Sequence, residues 1–343
     1  MKKCFFVVTG IFFLVVFSFT ATMHAAEPVK PIELRFSTFL PLETPVIGVW
    51  ISYCKELERR SDGRVKVTFY PAESLGKAKD HYNMAVTGIA DITTHIMGYT
   101  PGRFPQAEVL ELPILWPSAK VASRVCWDIY EKYLKNEFSD VHLIALATTD
   151  PTHIHTSKKP VRSMADMSGL RLRTGNPRMV EMIKSWGASP INVTGAEVYD
   201  ALQKGMIDGV FINNTSLADF KLYEQLNHYT LLGMGAAVAL APMSLKAWNS
   251  LPPDIQKIVD EISGARQSAS MGEVFDKRGK AGIDEAVKRG GKIYTLSDAE
   301  KANFVAKTEP IVSAWIANAE KRGFPGKKLY DDVSALVAKY SKE

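Results

Sequence analysis

The chain has 343 residues, of which 46% are apolar, 23% charged and 10% aromatic, with 23 Gly and 18 Pro. This composition supports packed globular domains, with length for two of them, and excludes disorder, collagen or coiled coil as a description of the whole. The formal net charge of +5 falls to about +3 once Lys2 and Lys3 are set aside with a leader, an excess too small and too dispersed to point to nucleic acid.

Met1-Lys2-Lys3 precedes an apolar run from Phe5 to Phe19, and Thr22-Met23-His24-Ala25-Ala26 then offers the small residues of a cleavage site. The pattern predicts a signal peptide removed after Ala25 or Ala26, and so an exported, periplasmic protein, with an uncleaved anchor as the alternative. No cysteine follows the apolar run, which argues against a lipoprotein. No later apolar stretch is long enough to span a membrane. Cys4 leaves with the leader, whereas Cys54 and Cys126 lie in helix-like segments, as buried free thiols or, alternatively, as a disulfide.

Residues 32–38 alternate as a strand, and Val46, Val49, Trp50, Tyr53 and Leu57 then form one helical stripe that Ser61-Asp62-Gly63 ends. Val65, Val67 and Phe69 alternate with charged or polar neighbours, and a helix over about 77–86 returns the chain to Asp91-Ile92-Thr93. This is a βαβ unit, so a parallel sheet is expected. The same grammar recurs: a strand over 189–193, the capping box Thr194-Gly195-Ala196-Glu197, a helix to about Lys204 and a strand over 209–212. Gly88-Ile89-Ala90-Asp91 and Gly205-Met206-Ile207-Asp208 share a Gly-x-x-Asp pattern between helix and strand, which suggests two lobes of similar construction.

A strand over 141–148 ends at Asp150-Pro151, where the first crossing between lobes is expected; the second falls near Gly233-Met234-Gly235, before an apolar strand over 236–240. That glycine pair lacks the third glycine and the opening helix of a dinucleotide fingerprint. Residues 254–289 are helix-compatible and free of proline, and unbroken they would make a rod of about 54 Å, long enough to reach across both lobes. Gly264, Gly272, Gly279 and Gly282 make a kink or break an equal alternative. Ser297-Asp298-Ala299-Glu300 caps a further helix through Trp315 and Ile316, and Val333, Leu336, Val337 and Tyr340 mark a last amphipathic one. The layout is a leader over 1–26, lobe I over 27–150 plus about 235–270, lobe II over 151–234 plus about 271–310, and C-terminal helices over 311–343 packing on the lobes. The fold class is α/β, with parallel-rich mixed sheets.

The chain lacks Gly-x-Ser-x-Gly, a phosphate-cradling Gly-x-x-x-x-Gly-Lys, His-Glu-x-x-His and Cys-x-x-Cys, so no catalytic residue and no cofactor is expected. His153-x-His155 puts two imidazoles on one strand face about 7 Å apart. Two histidines do not complete a zinc site and only Asp150 lies near, so no metal is expected; a ligand-facing polar strand and plainly hydrogen-bonded histidines remain the two readings. In Gly169-Leu170-Arg171-Leu172-Arg173-Thr174-Gly175-Asn176 the leucines face one side of a strand and the arginines the other, and the strand runs into a turn and a helix from Pro177. An arginine at the carboxyl end of a strand in an open α/β sheet points into the crevice where such folds bind ligands, and its planar fork takes a carboxylate with two parallel hydrogen bonds. The alternative is that both arginines only cover the sheet edge.

Several runs together resemble the periplasmic solute-binding proteins of tripartite ATP-independent periplasmic (TRAP) transporters, DctP type. They are Lys159-Pro160-Val161-Arg162-Ser163, Asp166-Met167-Ser168-Gly169-Leu170-Arg171-Leu172-Arg173, Trp186-Gly187-Ala188-Ser189-Pro190, and the segment from Glu197-Val198-Tyr199-Asp200 to Gly205-Met206-Ile207-Asp208-Gly209. Tyr70-Pro71-Ala72-Glu73-Ser74-Leu75-Gly76 and Leu112-Pro113-Ile114-Leu115 are fainter echoes. The resemblance implies a two-lobed, Venus-flytrap binding protein that closes on a small organic acid and delivers it to a small and a large membrane subunit driven by a sodium gradient. It also implies that Arg173 pairs with the ligand carboxylate.

Three departures bear on the ligand. His153 stands where relatives that bind sialic acid or dicarboxylates carry a second arginine, Val210-Phe211-Ile212-Asn213 replaces a polar Gln-Glu-Asn-Pro, and Gly195 stands where an aromatic is common. Together they favour a monocarboxylate with an apolar or bulky body over a dicarboxylate. Around Arg173 the expected ligand-binding residues are His153, Asn213, Phe39, Tyr99, His95, Phe211, Asn176 and Trp116, with a core role as the competing reading for Phe39 and Trp116. Lys77 takes the place of an occasional acidic pocket residue or is simply solvated, and Glu197 and Asp208 serve capping and strand-end geometry. The rival functions are a binding protein of an ABC importer or sensor system, an exported enzyme, and a purely structural periplasmic protein.

Overall fold

The computed structural model describes Met1 and residues 30–343. The leader expected over 1–26 lies outside the described residues, Met1 excepted. The strands are β1 (Ile32–Ser37), β2 (Val65–Tyr70), β3 (Ile92–Thr93), β4 (His95–Ile96), β5 (Val141–Thr148), β6 (Thr152–Thr156), β7 (Arg171–Thr174), β8 (Ser189–Asn192), β9 (Gly209–Asn213), β10 (His228–Leu231), β11 (Val238–Ser244) and β12 (Lys292–Thr295). The helices are α1 (Pro45–Arg60), α2 (His81–Thr87), α3 (Ala119–Ile129), α4 (Pro177–Ser185), α5 (Val198–Gln203), α6 (Thr215–Asp219), α7 (Leu245–Ser250), α8 (Pro253–Ile262), α9 (Ala265–Lys288), α10 (Asp298–Ala306), α11 (Glu309–Lys321) and α12 (Gly326–Tyr340).

The strands form two six-stranded mixed sheets, one per lobe. In lobe I the order is β2-β1-β3-β11-β4 with β5 on the other edge of β11; in lobe II it is β12-β10-β6-β9-β7-β8. β1 is parallel to β2 and β3, and β7 is parallel to β8 and β9, as the two βαβ readings require. Each sheet is covered on both faces. Ile144, Ala145 and Ala147 of β5 pack with the α1 stripe, whereas Leu143 and Leu146 pack with Tyr82 and Val125, so β5 reads as a nearly continuous apolar run. In lobe II, Leu172 and Phe211 face one core, and Val210 and Tyr229 the other.

The shared Gly-x-x-Asp pattern has a structural cause. Arg35 on β1 donates from its backbone N (2.7 Å) and Nε (3.0 Å) to one oxygen of Asp91, and from Nη2 to the other oxygen (3.1 Å) and to the Gly88 carbonyl (2.9 Å). Arg171 on β7 makes the same four contacts with Asp208 and Gly205, at 2.8 to 3.0 Å. Each lobe therefore uses one arginine–aspartate clasp to close a left-handed glycine turn onto its sheet.

Three segments cross between the lobes. The first two run side by side: Thr149 N donates to the Ala237 carbonyl (2.9 Å), and Thr152 N to the Gly235 carbonyl (2.9 Å). The third is α9. Residues 254–289 are broken, with α8 ending at Ser263 and Gly264 adopting φ 72°, a conformation that favours glycine. The other three glycines stay helical and mark close approach: a Cβ at Gly272 would meet the Ala119 carbonyl oxygen at 2.6 Å, at Gly279 an Asp150 oxygen at 2.4 Å, and at Gly282 the Asn214 carbonyl oxygen at 2.3 Å. α9 thus lies against lobe I, the first crossing and lobe II in turn. The segment after Ser297 is likewise two helices, parted at Lys307-Thr308 where Pro310 sits in the first turn of α11. Cys54 and Cys126 are buried free thiols. Among the described residues no helix is long and apolar enough to cross a membrane.

Candidate ligand-binding site

A cavity of about 100 Å³ lies between the lobes at the carboxyl ends of β7 and β9, where open α/β sheets bind ligands. Arg173 reaches it from β7. Its side chain is buried, with the residue 4% exposed, and its Nε donates to the Val193 carbonyl at 2.9 Å, which leaves the terminal nitrogens for the cavity. A Cβ at Gly175 would stand 2.7 Å from Nη2, so glycine there lets the guanidinium lie close over the turn without being displaced. Among the described residues no carboxylate lies within ion-pair distance of Arg173. Burial pulls its pKa down from the usual arginine range, with Tyr99 and Glu197 opposing that pull.

Asn176 is the N-cap of α4. Its Oδ1 accepts from Arg178 N (2.8 Å) and Met179 N (3.3 Å), while its buried Nδ2 is turned toward the Glu111 carboxyl. Asn213 is engaged at both ends: Nδ2 donates to Asp150 (2.7 Å) and Oδ1 accepts from Ser216 (2.8 Å). Asp150, at the first crossing, also accepts from Thr215 N (3.2 Å), and burial pushes its pKa up to about 6. The hinge carboxylate therefore holds a cavity wall in place.

The cavity brings together Arg173, Asn176 and Asn213 with Phe39, Tyr99 and Phe211. Phe39 and Tyr99 come from lobe I and meet edge to face with ring centroids 6.0 Å apart. The Tyr99 hydroxyl accepts from Gly195 N of lobe II at 3.3 Å, one of the contacts that join the lobes across the cleft. Another is the ion pair between Glu108 of lobe I and Arg178 of lobe II.

Three expected residues do not reach the cavity. His153 points away from it: the alternation of β6 turns Thr152, paired with Asn213, to the cavity, while His153 Nδ1 accepts from Gly233 N (3.0 Å). Burial lowers the His153 pKa to about 4, so it supplies no second cation near neutral pH. His155 lies fully buried beside Tyr229. His95 is buried with Nε2 against the Thr100 hydroxyl (3.0 Å), its pKa pushed down to about 3, and its neighbour Ile96 lines the cavity instead. Trp116 belongs to the lobe I core, as its competing reading had it. Lys77 is exposed and pairs with Glu73 at 2.9 Å. Glu197 closes the capping box with Thr194, and Asp208 clasps Arg171.

Sequence reasoning missed Thr152, Asp219, Phe220 and Phe275, all on the cavity wall. The glycine at 195 does not leave an open space, because a Cβ there would come within 2.7 Å of Phe220 Cζ. The ring absent from position 195 is thus replaced by one from the end of α6. No local motif announces that replacement.

Two lobes joined by three crossings, closed around an aromatic-walled cavity that holds one buried guanidinium, define a solute-binding protein. The chain belongs to the DctP family, bacterial extracellular solute-binding protein family 7, which matches residues 36–318. It is similar to a TRAP solute-binding protein from Rhodoferax ferrireducens solved with copurified benzoate, with 31% identity, a TM-score of 0.87, and coverage of 91% of this chain and 99% of that one. It is also similar to a TRAP periplasmic solute-binding protein from Bordetella bronchiseptica with bound (R)- and (S)-mandelate, at 27% identity and TM-score 0.85, covering 90% and 100%. A solute-binding protein of Verminephrobacter eiseniae is 29% identical over 265 residues, 76% of this chain and 78% of that one. All three are solute-binding proteins, and the family is described as extracellular.

Proposed function

We propose that this chain is the periplasmic receptor of a TRAP secondary transporter, taking an aromatic or similarly apolar monocarboxylate through Arg173 and delivering it to the small and large membrane subunits. One observation carries the reading: a buried guanidinium without a carboxylate partner among the described residues sits on an otherwise largely apolar cavity wall. An isolated buried charge is costly, and a ligand carboxylate supplies the missing counter-charge with two parallel hydrogen bonds. Phe39, Phe211 and Phe220 offer flat apolar surface for a ring, and the benzoate and mandelate found in the two related structures have that chemistry. His153, held neutral and turned away, leaves the cavity without the second cation a dicarboxylate would use.

Binding proceeds without turnover. Lobe I and lobe II move about the paired crossings at 149–152 and 233–237 and about α9, and the ligand shifts the population toward the shut form by touching both lobes. The leader directs export and is removed after Ala25 or Ala26. A thermal-shift and calorimetric screen tests the reading. Benzoate, phenylacetate and mandelate are expected to raise Tm and to be recovered unchanged, whereas tighter binding of succinate or malate than of any monocarboxylate would overturn it.

A further inference from the structure

The cavity wall carries a second ionisable residue, Asp219, at the end of α6. Its side chain is 5% exposed, and Oδ1 accepts from Arg278 Nε of α9 at 3.2 Å, while Oδ2 takes no hydrogen bond among the described residues. The polar neighbours on the same wall are already committed, since Ser216 Oγ donates to Asn213 Oδ1 and Asn213 Nδ2 donates to Asp150. At the α6 end of the wall the Asp219 carboxylate is therefore the acceptor presented to the cavity, next to the apolar faces of Phe220 and Phe275. Burial raises the Asp219 pKa to about 6 against the pull of Arg278, so the group is mostly ionised at neutral pH.

We infer that Asp219 is a specificity-determining residue: its free oxygen accepts a hydrogen bond from a hydroxyl on the ligand's ring, and its charge bars a second carboxylate. The inference rests on the reading that Arg173 takes the ligand's one carboxylate. It narrows the ligand class to hydroxylated aromatic monocarboxylates. A site with a buried acceptor discriminates against an analogue that leaves the acceptor unpaired, and a charged acceptor makes that discrimination larger. A carboxylate at the same place on the ring would face Asp219 as a like charge in a poorly hydrated space.

The test is calorimetry on the exported, leader-free protein with benzoate, 3- and 4-hydroxybenzoate, isophthalate and terephthalate, in the wild type and in Asp219→Asn. In the wild type at least one hydroxybenzoate is expected to bind about 10- to 100-fold tighter than benzoate, with both phthalates weakest. In Asp219→Asn the benzoate-to-hydroxybenzoate Kd ratio is expected to fall about tenfold, and the phthalates to gain relative to benzoate, because the amide can turn a donor to them. An unchanged ratio in the variant would reduce Asp219 to an anchor for Arg278 and overturn the inference. So would a wild type that binds benzoate and both hydroxybenzoates equally, a measurement that does not depend on the variant folding. Benzoate binding without hydroxyl preference removes only this inference, whereas failure of every aromatic acid removes the underlying reading and this one with it.

Discussion

Arg171 and Arg173 stand two residues apart on the same face of β7, and only Arg171 is matched by a carboxylate. Arg171 is part-exposed and takes both oxygens of Asp208. Arg173 is buried and takes one backbone carbonyl, that of Val193. The same side chain on the same strand is thus structural at one position and open to an anion at the next. The clasp of Arg35 by Asp91 in lobe I confirms the assignment of Arg171, since it repeats the structural arrangement far from the cavity.

Glu108 and Arg178 pair across the cleft with side chains about one-fifth exposed. Because the pair joins the two lobes, it stabilises the shut form and not either lobe alone. Glu108→Gln is expected to weaken benzoate binding by about three- to tenfold, mainly through faster dissociation, with the effect shrinking at high salt. Stopped-flow dissociation measured at low and high salt reads this directly; equal rates in variant and wild type at low salt would show that the pair does not hold the lobes together.

Gly282→Ala should lower stability although alanine is the better helix former by about 1 kcal/mol. The added Cβ would meet the Asn214 backbone oxygen at 2.3 Å, and backbone has little room to yield. Overpacking of this kind costs about 1–3 kcal/mol. A denaturant melt that shows the variant at or above wild-type stability would mean that α9 is free to shift on α6.

Glu111 is 2% exposed, and burial raises its pKa to about 7 from an ordinary 4.5. The folded state therefore holds this proton more tightly than the unfolded chain does, so the residue destabilises the fold progressively as pH rises from about 4.5 to about 7. Glu111→Gln lacks that liability. Its Tm relative to wild type is expected to be more favourable at pH 8 than at pH 5, by the equivalent of about 2.5 kcal/mol. The histidines His95 and His153, whose depressed pKa values act with the opposite sign, are present in both proteins and cancel in the difference. A pH-independent difference would mean that Glu111 is not buried as an acid.

What was legible in the sequence follows the range of the interactions. The α1 stripe, the βαβ units, the Thr194–Glu197 capping box and the placing of Arg173 at a strand–turn–helix junction all depend on residues near in the chain, and the structure has each of them. The placing of His153 rested on a register carried over from a motif more than ten residues away, and a one-residue error in strand parity exchanges the two faces. Asp219 and Phe220 at the end of α6 share the cavity wall with Phe275 of α9, and the close packing of α9 on the start of α6 at Gly282 is invisible in either segment alone. The glycines of α9 had two readings, breakpoint or contact. Gly264 takes the first and Gly272, Gly279 and Gly282 the second, and only the packing partners separate them.

In the proposed function one buried guanidinium binds the ligand's carboxylate, a role that calorimetry of benzoate with wild type, Arg173→Ala and Arg173→Lys isolates. Arg173→Ala is expected to lose at least about 100-fold in affinity, because the carboxylate would be enclosed without its partner, and Arg173→Lys to recover part of it, since lysine restores charge but not the planar fork. Binding to Arg173→Ala within threefold of wild type would contradict it.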